Sequence, residues 1–178
     1  MKKNNYIVTV IICLLPILAG IILYEKLPNE IPIHFDVNNM PDNYASKNFA
    51  LFGLPVIMAF FQTIVCVTTW FTKRKMSSVP KLVRVLEYVI PVISILIYYV
   101  MIAYTLYGTI DVGRVVCLMT SILFCVLGNY FPKVSYESHK NLIHPSPKNE
   151  KTFKKMTKTF GYSFIGVGIV FLVITFFV

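Results

Sequence analysis

The residues best suited to chemistry lie together in one polar segment, YEKLPNEIPIHFDVNNMPDNYASK, residues 24–47. His34 is followed by Asp36 and Asp42, and Lys47 ends the segment. An imidazole near carboxylates can form an acid–base pair, contribute to a metal site or recognise a charged ligand. Residues 34 and 36 of an extended chain point to the same side, so they could share a ligand. A histidine that only packs in the loop fits the same pattern.

Prolines and turn-forming residues predict an ordered shape for this segment, which we call the first loop. Pro28 and Pro32 restrict their own backbone and favour extended structure in the residues before them. The stretch DVNNMPDN is rich in turn formers, and Asn38 or Asn39 tolerates the left-handed conformation at modest cost. We therefore expect a stiff arm, a tight turn and a return that brings Asp42 toward the histidine.

The elements that must position the first loop are membrane spans. Hydrophobic residues make up 56% of the 178-residue chain and charged residues 14%, against about 25% charged in ordinary globular domains. Apolar runs long enough to cross a bilayer recur, and such runs must be helical because lipid offers backbone groups no partners. The sequence predicts one all-α polytopic membrane domain, residues 1–178, with an ordered outer loop and a short basic inner amphipathic helix. The five predicted spans are residues 6–24, 51–71, 85–107, 115–131 and 161–178.

Lysine and arginine placement predicts the orientation of these spans. Basic residues dominate the start of the chain and the loops after the second and fourth spans, and they are sparse elsewhere. Because positive charge collects on the cytoplasmic side, we expect the amino terminus inside and the first loop and carboxyl terminus outside. The net charge of +9 is split among membrane-flanking loops, which argues against a nucleic-acid partner.

The segment NEKTFKKMTKTF, just before the last span, predicts a basic amphipathic helix. Apolar side chains recur at helical spacing from Phe153 to Phe160, and Asn149 can cap the helix. The lysines that cover its other side are Lys151, Lys154, Lys155 and Lys158. We call residues 151–158 the basic segment. It can anchor the helix on anionic lipid of the inner leaflet or dock a cytoplasmic partner.

Motifs for a cofactor or a common catalytic site do not occur in the sequence. It has no phosphate-binding loop, nucleophile elbow or zinc-protease motif, and its four cysteines fall inside predicted spans. We therefore expect no cofactor and assign no catalytic residue and no metal. Glu87 lies one helical turn from Arg84, which predicts a surface ion pair.

The first loop resembles the outer-loop signature of the bacterial SdpI-type immunity proteins. That signature is an L-P-x-x-x-P-x-H stretch followed by a glycine turn, an acid and a lysine. The matching positions here are Leu27, Pro28, Pro32, His34, Asp42 and Lys47. Asn39 stands where the family usually has glycine, and it preserves a left-handed turn.

A second stretch, GNYFPK, resembles the inner motif G-N-x-x-P-K of the same family. The matching positions are Gly128, Asn129, Pro132, Lys133 and, further along, Asn141. This match is weaker, because His144 replaces an arginine and Phe153 replaces a tryptophan. The chain is also shorter than the many-span members of the family.

The resemblance implies a protein of the bacterial plasma membrane that gives immunity to a secreted peptide toxin. The recognition surface would comprise Pro28, Pro32, His34, Asp36, Asn39, Asp42 and Lys47. The expected partners are the lipid bilayer, the toxin and a cytoplasmic regulator, and a homo-oligomer is compatible with the pattern. Two other classes stay open: a membrane-embedded hydrolase or transferase that uses His34 on a lipid-linked substrate, and a transport or signalling subunit. We favour a binding protein over an enzyme.

Overall fold

A computed structural model describes residues 4–75, 79–139 and 149–177, and it confirms the all-α polytopic membrane fold. In these residues five helical stretches are long and apolar enough to cross a bilayer. They are Tyr6–Lys26, Phe49–Lys75, Lys81–Tyr107, Val112–Lys133 and Glu150–Ile174. Many large apolar side chains are exposed along these stretches, as expected of surfaces that face lipid.

Seven α-helices and a single pair of strands form the part of the chain that the structure describes. In chain order they are α1 Asn4–Leu14, α2 Pro16–Leu23, β1 Glu30–Phe35, β2 Pro41–Ser46, α3 Leu54–Lys75, α4 Lys81–Tyr107, α5 Val112–Tyr130, α6 Tyr136–His139 and α7 Glu150–Ile174. The predicted bounds of the first four spans lie within four residues of the observed ones. Helix α7 joins the basic segment and the last span in one continuous helix.

The chain divides into two compact units. The first unit is Met1–Cys66 with Tyr88–Gly113, and the second is Val67–Glu87 with Arg114–Val178. Helices α3 and α4 therefore contribute one end to each unit, and the first loop belongs entirely to the first unit.

Prolines shape the helices of the first unit. Pro16 lacks an amide hydrogen, so the first span divides at Leu15 and α2 begins with the proline. Pro55 likewise cannot donate to the carbonyl of Leu51, and a short π-helix, Phe49–Gly53, precedes it. The irregular backbone therefore lies just after the first loop.

A buried tyrosine compensates for the donor that Pro55 lacks. The Tyr98 hydroxyl, from α4, donates to the Leu51 carbonyl over 3.3 Å. Gly20 of α2 leaves room for this hydroxyl, because a Cβ at position 20 would collide with the tyrosine oxygen. Three spans thus meet at one polar contact, which fixes the helices that carry the first loop.

Close helix contacts also organise the second unit. A Cβ on Gly128 of α5 would lie 2.6 Å from the Gly161 carbonyl of α7, and a Cβ on Gly161 would lie 2.7 Å from the Pro132 ring. A Cβ on Gly168 would similarly lie 2.6 Å from Cys125 Sγ. Small residues therefore let α5 and α7 approach closely along their length.

The second unit also contains an ion pair that differs from the predicted one. Glu87 Oε1 lies 2.5 Å from Nζ of Lys73, and the two side chains are only 7% and 15% exposed. The prediction of a surface pair between Glu87 and Arg84 is therefore wrong. The helix spacing suggested a neighbour three residues away, but the partner comes from the end of the preceding span.

Candidate functional site

The first loop is a β-hairpin that stands on the helices of the first unit. Strands β1 and β2 pair antiparallel from Glu30–Ser46 to Phe35–Pro41, with irregular register at residues 33 and 42. This confirms the predicted extended arm and return, although the sequence did not indicate that the two would pair as strands. The Phe35 ring packs edge-on against Tyr104 of α4, with ring centroids 4.6 Å apart.

Apolar motif residues secure the base of the hairpin. Leu27 and Ile31 are buried in the core of the first unit, which also contains Leu51 and Tyr98. Pro32 is buried, whereas Pro28 is exposed. Leu27 and Pro32 of the motif, together with Ile31, therefore hold the arm on the helices, and burial of the leucine and isoleucine stabilises it by about 1.5–3 kcal/mol each.

Lys47 belongs to the base of the hairpin and not to its exposed end. Its backbone N–H donates to the Asn29 carbonyl over 2.8 Å. Its ammonium donates to the Tyr24 carbonyl over 3.1 Å and lies 4.5 Å from the centre of the Tyr24 ring. A cation at the last carbonyls of a helix is stabilising, so this lysine closes the end of the first span.

Asp36 organises the turn between the strands. Its carboxylate accepts hydrogen bonds from the N–H groups of Asn38 (2.9 Å) and Met40 (2.8 Å), and from the Asn38 side chain. These bonds, chiefly that from the Met40 N–H, hold the pKa of Asp36 below its ordinary value. The carboxylate therefore serves the turn, and the expectation that Asp36 could share a ligand with His34 stays a prediction.

His34 and Asp42 form an exposed pair across the hairpin. His34 Nδ1 lies 2.5 Å from Asp42 Oδ1, and the side chains are 67% and 47% exposed. When Nδ1 donates to the carboxylate, the ring is oriented and its Nε2 is the nitrogen left for a ligand. The pair can recognise a hydrogen-bonding or charged group, or act as an acid–base pair.

Asn39 links the hairpin to the connection between α4 and α5. Its backbone is left-handed, with φ of 61°, which confirms the expected turn geometry. Its side chain donates to the Ile110 carbonyl over 3.0 Å and accepts from the Val112 N–H over 2.8 Å. Both loops therefore lie at the same end of the first unit, in agreement with the alternation of loops that the spans predict.

Sequence reasoning did not identify three exposed, largely apolar side chains of the hairpin. Val37 is 93% exposed, Met40 61% and Tyr44 51%. Tyr44 lies two residues from Asp42 on β2. Large apolar groups in a loop outside the spans are the signal that could have revealed them.

The inner motif is mainly a packing junction in the second unit. Gly128 and Pro132 lie against α7, as described above. Asn129 Oδ1 accepts a hydrogen bond from Lys133 Nζ over 2.8 Å, and that ammonium lies 5.2 Å from the Tyr130 ring centre. Asn141 lies outside the described residues.

The apolar face of the basic segment packs inside the protein. Phe153 is buried with Leu82 and Val134, and Met156 packs against this cluster. The Asn149 side chain accepts from the Thr152 N–H over 2.8 Å, which confirms the predicted cap. The four lysines are exposed. The start of the apolar face is therefore packed against the protein, whereas Phe160 at its end is half exposed.

Comparison with known proteins places the best-matched part of the chain around the hairpin. Residues 11–59 match DUF1648, a domain of unknown function. The chain is 44% identical over 61 residues, 34% of its length, to the immunity protein SdpI of Bacillus subtilis strain 168. This part of the chain is SdpI-like.

The matched regions cover less than half of each relative as well. The first match spans 28% of the SdpI immunity protein. A second relative, the uncharacterized membrane protein YbgB of the same Bacillus subtilis strain, is 41% identical over 44 residues, which are 25% of this chain and 48% of that protein. No solved structure matches the chain. The comparisons therefore support an SdpI-type family over part of the chain, and the DUF1648 match contains the hairpin.

Proposed function

We propose that this chain is a plasma-membrane immunity protein that protects its cell from a secreted antimicrobial peptide, with the hairpin as its recognition surface. The main support is the DUF1648 match, because residues 11–59 contain the whole hairpin. The relative at 44% identity is an immunity protein. The buried base and the hydrogen-bonded turn order the hairpin before any ligand arrives, which lowers the entropy cost of binding.

Within this proposal, the His34–Asp42 pair provides the polar contact to the peptide. Its exposure and its fixed geometry suit it to bind a group on an incoming ligand. Motif residues at the base of the hairpin hold the strands that carry this pair. They include Leu27, Pro32 and Lys47. The remaining motif positions thus position the hairpin and do not contact the peptide.

Complementation in cells tests the proposed function. A Bacillus subtilis strain that lacks SdpI would express this chain and be exposed to culture fluid from the parent strain. We expect growth to be rescued by this chain and not by the empty vector. Equal growth with the empty vector, although the chain is present in the membrane, would contradict the proposal for this peptide.

The proposal also requires the hairpin to lie outside the cell. The lysine distribution supports an inside amino terminus and an outside carboxyl terminus. Single cysteines in place of Asn43 and Lys151 should react with a membrane-impermeant maleimide from opposite sides of intact cells. The parent chain, with its four native cysteines, gives the background. Labelling of both positions from the same side would contradict the topology.

We propose that the basic segment meets anionic lipid on the inner face. Its lysines are exposed while its apolar face is packed, so charge is the property that it offers. Nanodiscs of phosphatidylglycerol should raise the unfolding temperature relative to phosphatidylcholine, and replacement of the four lysines by glutamine should remove that increase. An unchanged increase would instead favour a cytoplasmic regulator as the partner of this surface.

A further inference from the structure

The hairpin carries a charge opposite to that of the rest of the chain. Residues 30–46 contain three acids and no lysine or arginine, although the net charge of the chain is +9. The next residue, Lys47, directs its ammonium to the Tyr24 carbonyl. Asp36 is anionic at neutral pH, and the turn amides that bond its carboxylate favour that form. The hairpin therefore presents negative charge to a partner.

Apolar side chains lie among these acids. Val37 lies in the turn and Met40 follows it, and both are largely exposed although they lie outside the spans. Tyr44 adds an exposed ring next to Asp42. A partner that covered these side chains would gain about 25 cal/mol per Å² of apolar surface removed from water.

We propose that the exposed face of the hairpin, Val37, Met40, Asp42 and Tyr44, docks a cationic amphipathic peptide, and that Asn39 holds this face in position. An amphipathic peptide rich in lysine and arginine complements both the negative charge and the apolar side chains. The inference rests on the proposed function in one respect, namely that the hairpin is the surface that meets a secreted peptide. Anionic lipid fits this face poorly, because its charge has the same sign.

Asn39 is a positioning residue in this proposal. Its two side-chain hydrogen bonds, to the Ile110 carbonyl and from the Val112 N–H, anchor the tip of the hairpin to the next connection. Because glycine also accepts a positive φ, Asn39→Gly removes this anchor and keeps the turn. Asn38→Ala is the matched control, since the Asn38 side chain donates within the turn, to Asp36.

Binding of a designed peptide tests the docking surface. The full chain in phosphatidylcholine nanodiscs would be titrated with an amphipathic peptide of leucine and lysine, and with a matched peptide in which glutamate replaces lysine. Empty nanodiscs give the lipid background. We expect the lysine peptide to bind at least about tenfold more tightly than the glutamate peptide. Equal affinities, or binding no tighter than to empty nanodiscs, would overturn the proposal.

Substitutions locate the surface. Asp42→Asn, and separately Val37→Ser with Met40→Ser, should each weaken binding of the lysine peptide by about tenfold. Glu25→Gln is the control, because it removes an acid at the base of the first loop, outside the strands. An effect of Glu25→Gln as large as that of the hairpin substitutions would overturn the assignment of the site.

The Asn39 anchor has its own readout. Asn39→Gly should speed amide hydrogen exchange at Val112, because the Val112 N–H loses its acceptor. The same substitution should lower the affinity for the lysine peptide several-fold. Asn38→Ala should change neither the exchange nor the affinity. Unchanged exchange and affinity in Asn39→Gly would refute the anchor.

The docking surface and the proposed function can be refuted independently of each other. A chain that protects cells but does not prefer the lysine peptide keeps the proposed function and refutes this inference. A chain that prefers the lysine peptide but gives no protection supports the surface and contradicts the proposed function.

Discussion

Two motifs of this chain resemble the same family, one in the hairpin of the first unit and one in the GNYFPK stretch of the second. Their residues have different structural roles. In the hairpin, apolar motif positions are buried beneath an exposed His34–Asp42 pair. In the second unit, Gly128 and Pro132 lie directly against α7, and Lys133 turns back to Asn129. The first motif presents polar groups outward, whereas the second lets two spans approach each other.

This difference shows that a motif match does not by itself indicate recognition. A glycine or proline can recur because a neighbouring backbone leaves no room for another side chain. An exposed histidine that contributes little to packing needs another explanation. Substitutions in the two regions should therefore fail in different ways: loss of the folded protein in the second unit, and loss of protection in the hairpin.

The largest effect on stability is expected at the crossing of α5 and α7. Gly128→Val places side-chain atoms where the Gly161 carbonyl and Ile165 already lie, so the helices must separate. We expect the free energy of unfolding to fall by about 3 kcal/mol, or the protein to be lost from the membrane. Thermal unfolding in detergent, followed by circular dichroism, measures the change.

Gly166→Ala is the matched control for this crossing. Nothing lies within 4 Å of a Cβ at position 166 of α7, so the substitution should be neutral or slightly stabilising. A loss of stability as large as that of Gly128→Val would show that α7 rejects any added side chain, and the account of a specific close contact would be wrong.

A smaller effect is expected where the spans support the hairpin. Tyr98→Phe removes the hydrogen bond to the Leu51 carbonyl and leaves that carbonyl buried beside Pro55. We expect the free energy of unfolding to fall by about 1–2 kcal/mol. Tyr99→Phe, on the neighbouring half-exposed ring, is the control and should have less effect. Equal effects of the two would argue against the compensating role of Tyr98.

The smallest effect is a pH dependence of the turn. Because the pKa of Asp36 is lowered in the folded protein, its carboxylate stabilises the turn fully above the ordinary value of 3.8, and this stabilisation is lost as the pH falls through the lowered pKa. Amide exchange of Met40, corrected for its intrinsic pH dependence, should show loss of protection in that acid range. Asp36→Asn should lack this transition. Protection that is equally high at both ends of that range in the parent chain would contradict the role of Asp36.

The overall fold was predictable from the sequence because its signal is uniform. Each span is a long apolar run, and backbone groups in lipid can be satisfied only within a helix. The arm, turn and return of the hairpin were also predictable, since proline and asparagine act locally on the backbone.

Contacts between distant residues were not predictable in this way. Nothing in the sequence near Tyr98 indicates that its hydroxyl donates to the Leu51 carbonyl. Helix spacing predicted Arg84 as the partner of Glu87, whereas the structure pairs Glu87 with Lys73. The exposure of Val37 likewise depends on how the hairpin packs on the helices of the first unit. A single sequence contains the periodicity of each helix but not the choice of helix neighbours.

The central claim is that the His34–Asp42 pair serves recognition and not folding, and His34→Ala tests it most directly. The measurement is growth of the complemented strain over a dilution series of toxin-containing culture fluid, with membrane levels quantified in the same cells. The account predicts at least about a tenfold loss of tolerated toxin, normal membrane levels and a change in unfolding free energy below about 0.5 kcal/mol. Asn43→Ala, at the paired position on β2, should leave tolerance unchanged. Full tolerance in His34→Ala, or a loss that merely follows a lower membrane level, would contradict the claim.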